Sequence, residues 1–209
     1  MRRPEFIARQ AARPTGFFGR LLVRVMASET ARFNRQVVQV VAPSPGERIL
    51  EVGFGHGRTL AEAAVHTPSA TFAGIDISAD ARRVAEARCR GLIEEGRIEL
   101  RVGDSASLPW SDARFDKAFA VHTLYFWSDP QRELRELARV LKTGGLVVLG
   151  FREPSESARS TFPPAVYHFR SSGELRVLLQ SAGFAGIEEH GEASGDLRIL
   201  LARAGTART

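Results

Sequence analysis

Residues 49–60 read Ile49-Leu50-Glu51-Val52-Gly53-Phe54-Gly55-His56-Gly57-Arg58-Thr59-Leu60. Ile49, Leu50 and Val52 form a short apolar run with the pattern of a buried strand. Three glycines at spacing two follow, and then a helical pattern begins. A backbone that turns this sharply needs residues without a Cβ. Glycine at 53, 55 and 57 also leaves room for a ligand to lie against the main chain. The start of the following helix offers unpaired N–H groups to a carboxylate or phosphate.

An acidic residue followed by G-x-G-x-G resembles the first motif of the S-adenosylmethionine (SAM) dependent methyltransferases with a Rossmann-like fold. The nearest rival is the dinucleotide fingerprint G-x-G-x-x-G. Gly53 and Gly55 fit it, but its third glycine would fall on Arg58, and Gly57 comes one residue early. A tight strand–turn–helix junction without a ligand is the plain reading of a lone glycine cluster. Glu51 and the segments downstream argue against it.

Thr71–Ile75 reads as the second strand, with Asp76 at its C-terminal end. Ligands of doubly wound sheets bind outside the carboxyl ends of the strands. A carboxylate there can accept from both ribose hydroxyls of an adenosine. Asp76 lies 23 residues after Gly53, close to the roughly 20 of nucleotide-binding units. Ile77 is placed to pack on the adenine. Ser78 is the better cap for the next helix, which carries Ala81, Val84, Ala85, Leu92 and Ile93 on one side and ends at Gly96. Both NAD and SAM would account for Asp76. Arg97–Val102 alternates as a third strand, and Gly103-Asp104-Ser105 follows. Asp104 matches the family's third acidic position. The resemblance implies that it contacts the adenine amino group, with the Ser105 N–H on the ring.

Leu108-Pro109-Trp110 to Phe115-Asp116 is similar to the L-P-[FW]-x-x-x-x-F-D segment of small-molecule methyltransferases of the ubiquinone/menaquinone-biosynthesis type. Lys117–Val121 is strand four, leading into His122-Thr123-Leu124-Tyr125-Phe126-Trp127. Asp129 and Pro130 start a helix whose stripe is Leu134, Leu137, Ala138 and Leu141, closed by Gly144-Gly145. Leu146–Phe151 is strand five, and R-V-L-K-x-G-G before it again resembles the family. Residues 152–170 are expected as a loop that serves as lid or pocket wall. Ser171 and Glu174 form a capping box, Gly183 ends that helix, and Phe184–His190 with Leu197–Ala202 make a closing hairpin.

The resemblance spans roughly residues 45–202. It implies an α/β fold: a Rossmann-like three-layer sandwich whose seven-stranded, mostly parallel sheet ends in an antiparallel hairpin, with an N-terminal helical cap. The whole of 1–209 is expected as one methyltransferase domain, with 1–42 the helical arm and 46–203 the core. The implied cofactor is SAM, converted to S-adenosylhomocysteine (SAH), and its expected contacts are Glu51, Gly53, Gly55, Gly57, Asp76, Ile77, Asp104, Ser105 and His122. His122 and Tyr125 lie where the family places residues near the methyl group, and are the candidate catalytic pair. His122 has the pKa range of a base. A polar packing role, or contact with SAM through its backbone, is the alternative. Tyr125, Phe126 and Trp127 suit an aromatic pocket, although Phe126 and Trp127 read foremost as core. His168 and Tyr167 are weaker candidates of the same kind.

Charge is uneven. Of 29 basic residues 27 are arginines, and eight fall within residues 1–40 against two acidic ones, so the net +5 is an N-terminal property. An amphipathic helix over Phe17–Met26, a second one capped by Ser28, and loosely packed residues 1–14 are expected there. A solvated arginine-rich face is the plain reading; weak contact of residues 1–35 with anionic membrane is the functional one. No specific nucleic acid is expected. A single cysteine excludes an internal disulfide, no metal-ligand spacing occurs, and cytoplasmic location is the default. The acceptor is expected to be small or lipid-like. An NAD-dependent oxidoreductase, or a SAM-binding module without catalysis on membrane or nucleic acid, are the alternatives.

Overall fold

A computed structural model of the chain describes residues 4–13, 15–16, 30–190 and 195–205. The expected Phe17–Met26 helix and the Ser28 cap lie outside the described residues. So does much of the basic arm.

Sheet and helices follow the glycine turn outward. Strand β1 is Arg48–Val52, helix α3 Arg58–His66, β2 Thr71–Asp76, α4 Ala79–Glu94 and β3 Ile98–Val102. Then come β4 (Phe115–Val121), α5 (Pro130–Val140), β5 (Leu141–Arg152), α6 (Glu156–Thr161), α7 (Ser172–Ser181), β6 (Phe184–Glu189) and β7 (Leu197–Ala204). Among the described residues two helices precede them, α1 (Glu5–Ala12) and α2 (Ala31–Val41). The seven strands lie in the order β3-β2-β1-β4-β5-β7-β6. The first five pair in parallel, and β7 inserts antiparallel between β5 and β6. The strand order reverses beside β1, where a doubly wound sheet opens its ligand crevice.

Side-chain alternation along the strands splits the interior into two layers. Leu50, Ala73, Ala118 and Leu149 face a core shared with Leu134 and Leu137 of α5 and with Leu175 and Leu179 of α7. Ile49, Phe72, Phe119 and Val148 face the opposite core, shared with Val37 of α2, Leu60 of α3 and Ala85 of α4. The result is the expected three-layer sandwich with its closing hairpin. Sequence-read caps operate as expected: Ser78 and Asp129 accept from the N–H groups of Ala81 and Arg132, and Ser171 with Glu174 forms the full capping box.

Three expectations need correction. Residues 5–12 are not loose. They form α1, supported by a Glu5–Arg9 pair at 2.6 Å, and Ala8 is completely buried in the core that contains Tyr125 and Tyr167. Second, α5 stops at Val140 rather than at the Gly144-Gly145 pair. Leu141 turns extended, stays buried and pairs with Phe115, and the ladder slips before Lys117 meets Leu146. Gly144 and Gly145 sit in this irregularity; a Cβ on Gly145 would come within 2.7 Å of the Lys142 carbonyl. A helix period and a buried strand start both accept a Leu at 141, so periodicity could not separate them. Third, the 152–170 segment contains α6. Its cap is Ser155, which accepts from the Ala158 N–H at 3.0 Å and donates to Asp196 at 2.7 Å. That second bond ties the helix to the hairpin, a tertiary contact with no local signature.

Candidate active site

The turn after β1 uses its glycines unequally. Gly53, Gly55 and Gly57 all have positive φ, at 78°, 52° and 70°. A Cβ on Gly53 would lie 2.4 Å from Thr123 Oγ1, and one on Gly57 2.7 Å from the Ala85 Cβ. Those two are required by the protein's own packing. Gly55 alone faces open space, so the expected room for a ligand exists at that residue. Thr123 donates to the carbonyls of Val52 or Val121 (3.2 and 3.1 Å), joining the ends of β1 and β4. Gly53→Ala is therefore expected to lower unfolding stability by about 1–3 kcal/mol, measured by urea titration, through overpacking and a strained φ. Gly55→Ala pays only for its φ.

The turn floors a cavity of about 490 Å³, within the usual range of small-molecule sites. Glu51, Gly53, Gly55, Asp76, Ile77, Asp104, Ser105, His122 and Tyr125 all line it; Gly57 does not. Asp76 ends β2 with Oδ2 accepting from the Gly55 N–H and Oδ1 from the Ser78 N–H, each at 2.9 Å. Its carboxylate thus pins the glycine turn and keeps further lone pairs for a ligand. Burial raises its pKa, and the two backbone bonds oppose that rise. Glu51 is 3% exposed, and its Oε2 has no partner. Desolvation, and then repulsion from Asp76, push its pKa well up. Asp104 is exposed at the cavity edge, with Oδ1 taking the Ala106 N–H at 2.9 Å.

Across the cavity the chain leaves β4 through His122, which holds φ at 56°. Such a conformation in a non-glycine residue costs of order 1–3 kcal/mol and persists only where neighbours enforce it. Here the His122 N–H bonds the Gly150 carbonyl at 2.9 Å, its ring lies 5.1 Å from that of Phe33, and Nδ1 is 3.2 Å from the Tyr125 hydroxyl. The Tyr125 oxygen also accepts the Arg152 N–H. Burial, with Arg152 next, lowers the His122 pKa to about 4, so the imidazole is neutral at physiological pH. Burial raises that of Tyr125, which stays a phenol.

Aromatic rings complete the wall. Tyr125 packs 4.9 Å from Phe169 and 5.9 Å from Tyr167, and Phe162 lies 4.8 Å from Tyr167. The 152–170 segment is thus a pocket wall, as expected. Phe126 and Trp127, read foremost as core, line the cavity as well as packing. His168 is exposed and off the cavity; its N–H bonds the Tyr125 carbonyl.

Several lining residues lie outside the expected site set. Ala11 and Ala12 arrive with α1, and Phe33 and Asn34 with α2. Asn34 donates to Thr59 at 3.0 Å, fastening α2 over the start of α3. Glu133 sits in the first turn of α5, where an acidic residue reads as an ordinary dipole partner, yet it is buried and lines the cavity. Among the described residues no group of His, Cys, Asp and Glu is arranged to hold a metal ion, and no helix is long and apolar enough to cross a membrane.

Comparison with known proteins agrees with this geometry. Residues 50–149 match a methyltransferase domain family. An O-methyltransferase of Pyrenophora dematioidea is 31% identical over 166 residues, covering 76% of this chain and 62% of that protein. A ubiquinone/menaquinone biosynthesis C-methyltransferase of Geotalea daltonii is 27% identical over 188 residues, 76% of this chain and 79% of that one. The chain spans about six tenths of the length of the first curated relatives it matches. Phosphoethanolamine N-methyltransferase 2 of Haemonchus contortus, solved with S-adenosyl-L-methionine, superposes with a TM-score of 0.69 at 17% identity, over 84% of this chain and 53% of that one. That likeness concerns the fold. The strand order, the antiparallel hairpin and the acidic glycine turn agree with the match of residues 50–149 to a methyltransferase domain, on a Rossmann-like fold.

Proposed function

We propose that the protein uses SAM to methylate a small, aromatic or lipid-like acceptor. The observation that carries this reading is the set of carboxyl groups around the open face of Gly55. Asp76 suits the ribose. Asp104 and the Ser105 backbone suit the adenine, with Ile77 beside them. Glu51 is a desolvated carboxyl with an unpartnered oxygen, and a cationic ligand would relieve it. SAM carries both an ammonium and a sulfonium. Residues 46–203 then form the cofactor core and 1–42 the cap, consistent with Ala11, Ala12 and Phe33 on the cavity wall.

Bound SAM supplies a methyl group already activated by its sulfonium. The chain's work is to align the acceptor in line with that methyl and to exclude water. The aromatic wall of Tyr125, Phe126, Phe162, Tyr167 and Phe169 provides a planar, apolar surface. An acceptor hydroxyl must also lose a proton. His122 is neutral, close to the wall, and fixed by Tyr125. When the Tyr125 oxygen accepts from Nδ1–H, as it already does from Arg152, Nε2 holds the free lone pair and takes the acceptor proton.

Methyl-labelled SAM incubated with a panel of phenols, quinols and amphiphilic alcohols tests the proposal. Labelled product with an equal amount of SAH is expected from aromatic members. Bound SAM with no transfer to any member would contradict the small-molecule reading.

A further inference from the structure

Glu133 is the one buried charged side chain besides Glu51 among the described residues, and the mechanism above leaves it unused. It projects from the first turn of α5 and is 3% exposed. Ser105 Oγ donates to its Oε1 across 3.4 Å, a long bond, while Oε2 is buried without a partner. The carboxyl lines the cavity at the end where Asp104 and Ser105 lie. A carboxyl this poorly satisfied is costly in a folded core, and a ligand group that pairs with it would offset the cost.

The surroundings decide its protonation. Burial is the largest influence, then the Asp104 carboxylate; Ser105 opposes, Asp129 at the cap of its own helix adds repulsion, and Arg170 from the segment before α7 offers weak compensation. The guanidinium of Arg170 is occupied with the Leu124 and His168 carbonyls. The pKa is pushed up to about 8. At neutral pH the group is therefore mostly an acid with an O–H to donate. An adenine edge presents one amino donor flanked by ring nitrogens that accept. Asp104 can serve only the donor. The Ser105 N–H serves one acceptor, and a second acceptor needs another donor.

We infer that Glu133 is a specificity-determining residue for the purine of the cofactor: its protonated carboxyl donates to a ring nitrogen beside the Asp104 and Ser105 contacts, and cofactor affinity falls as it ionises. This rests on the SAM reading. The sign follows from linkage. If only the protonated form binds well, affinity is full below the free-protein pKa and is lost as pH rises through it. Burial also raises the pKa of the Glu51 and Asp76 carboxyls on the same wall. Both are retained in a Glu133 variant, so comparison with that variant cancels their titration. Burial places His56 and His122 both near 4.

Calorimetric titration of the full chain with SAH, wild type against Glu133→Gln, is the test. The amide keeps a donor at every pH. Relative to Glu133→Gln, wild-type affinity is expected to fall about tenfold between about pH 7 and about pH 9. Comparing the two proteins at each pH cancels titration of the ligand's own amine. Should the variant fail to fold, wild-type protein titrated with 5′-methylthioadenosine, which has no amine, gives a second measure. Heats in buffers of different ionisation enthalpy should show proton uptake on binding at about pH 8.5. Parallel pH profiles for the two proteins, or binding of the nucleoside without proton uptake, would overturn the role of Glu133 and leave the cofactor reading intact. Failure of wild type to bind SAH at about pH 7 would overturn the cofactor reading itself, and this role with it.

Discussion

Asp76→Ala is expected to weaken SAH binding by about a hundredfold or more. The carboxylate is proposed to accept two ribose hydroxyl bonds, and charge-assisted bonds of this kind contribute about 1.5–3 kcal/mol each. The side chain also receives the N–H groups of Gly55 and Ser78 at 2.9 Å, so its removal frees the turn on which the cofactor would lie. Asp76→Asn keeps one acceptor oxygen and should lose less, on the order of tenfold. Isothermal titration against SAH reads both. Affinities within a factor of about two of wild type would remove Asp76 from the site.

The second large effect is expected at His122. Asparagine tolerates the left-handed backbone that His122 holds, so His122→Asn removes the base while keeping the exit from β4. With a hydroxyl acceptor, kcat should fall by about 10²–10⁴, while SAH affinity stays within about threefold. A pH profile supplies an independent check. Burial holds the His122 pKa near 4, and a base works only when deprotonated. Wild-type kcat/KM should thus be flat as regards His122 above about pH 5 and fall below it. A loss of SAH affinity matching the loss of kcat would show His122 to be a packing residue of the cofactor site.

Much of this arrangement was legible in the chain because it depends on local rules. The β1 turn needs glycine for its φ values, Asp129 and Ser171 announce helix starts, and the carboxylates after β2 and β3 fall at strand ends that periodicity locates. Their joint placement around one cavity is a consequence of parallel strand order, which the motif spacing also implied. What was not legible is long-range. Nothing near Gly53 says that Thr123 fills the space of its missing Cβ, so its packing role was not legible beside its place on the cavity wall. Glu133 is buried against the segment after β3, where Ser105 meets its carboxyl, and an acidic first turn looks the same when exposed. Ala8 and Ala12 bring too few apolar atoms to set a pattern, yet α1 packs on the core through such small residues. Leu141 carries equal hydrophobicity in either conformation, and pairing with Phe115 decides the matter.

Cofactor identity is the claim on which the site assignments rest. Calorimetric titration of the purified chain with SAM, SAH and NAD, beside the Asp76→Ala variant, tests it most directly. Binding of the two sulfur compounds, its loss in the variant, and no heat from NAD are the predicted result. Saturable binding of NAD with none of SAM or SAH would contradict the account.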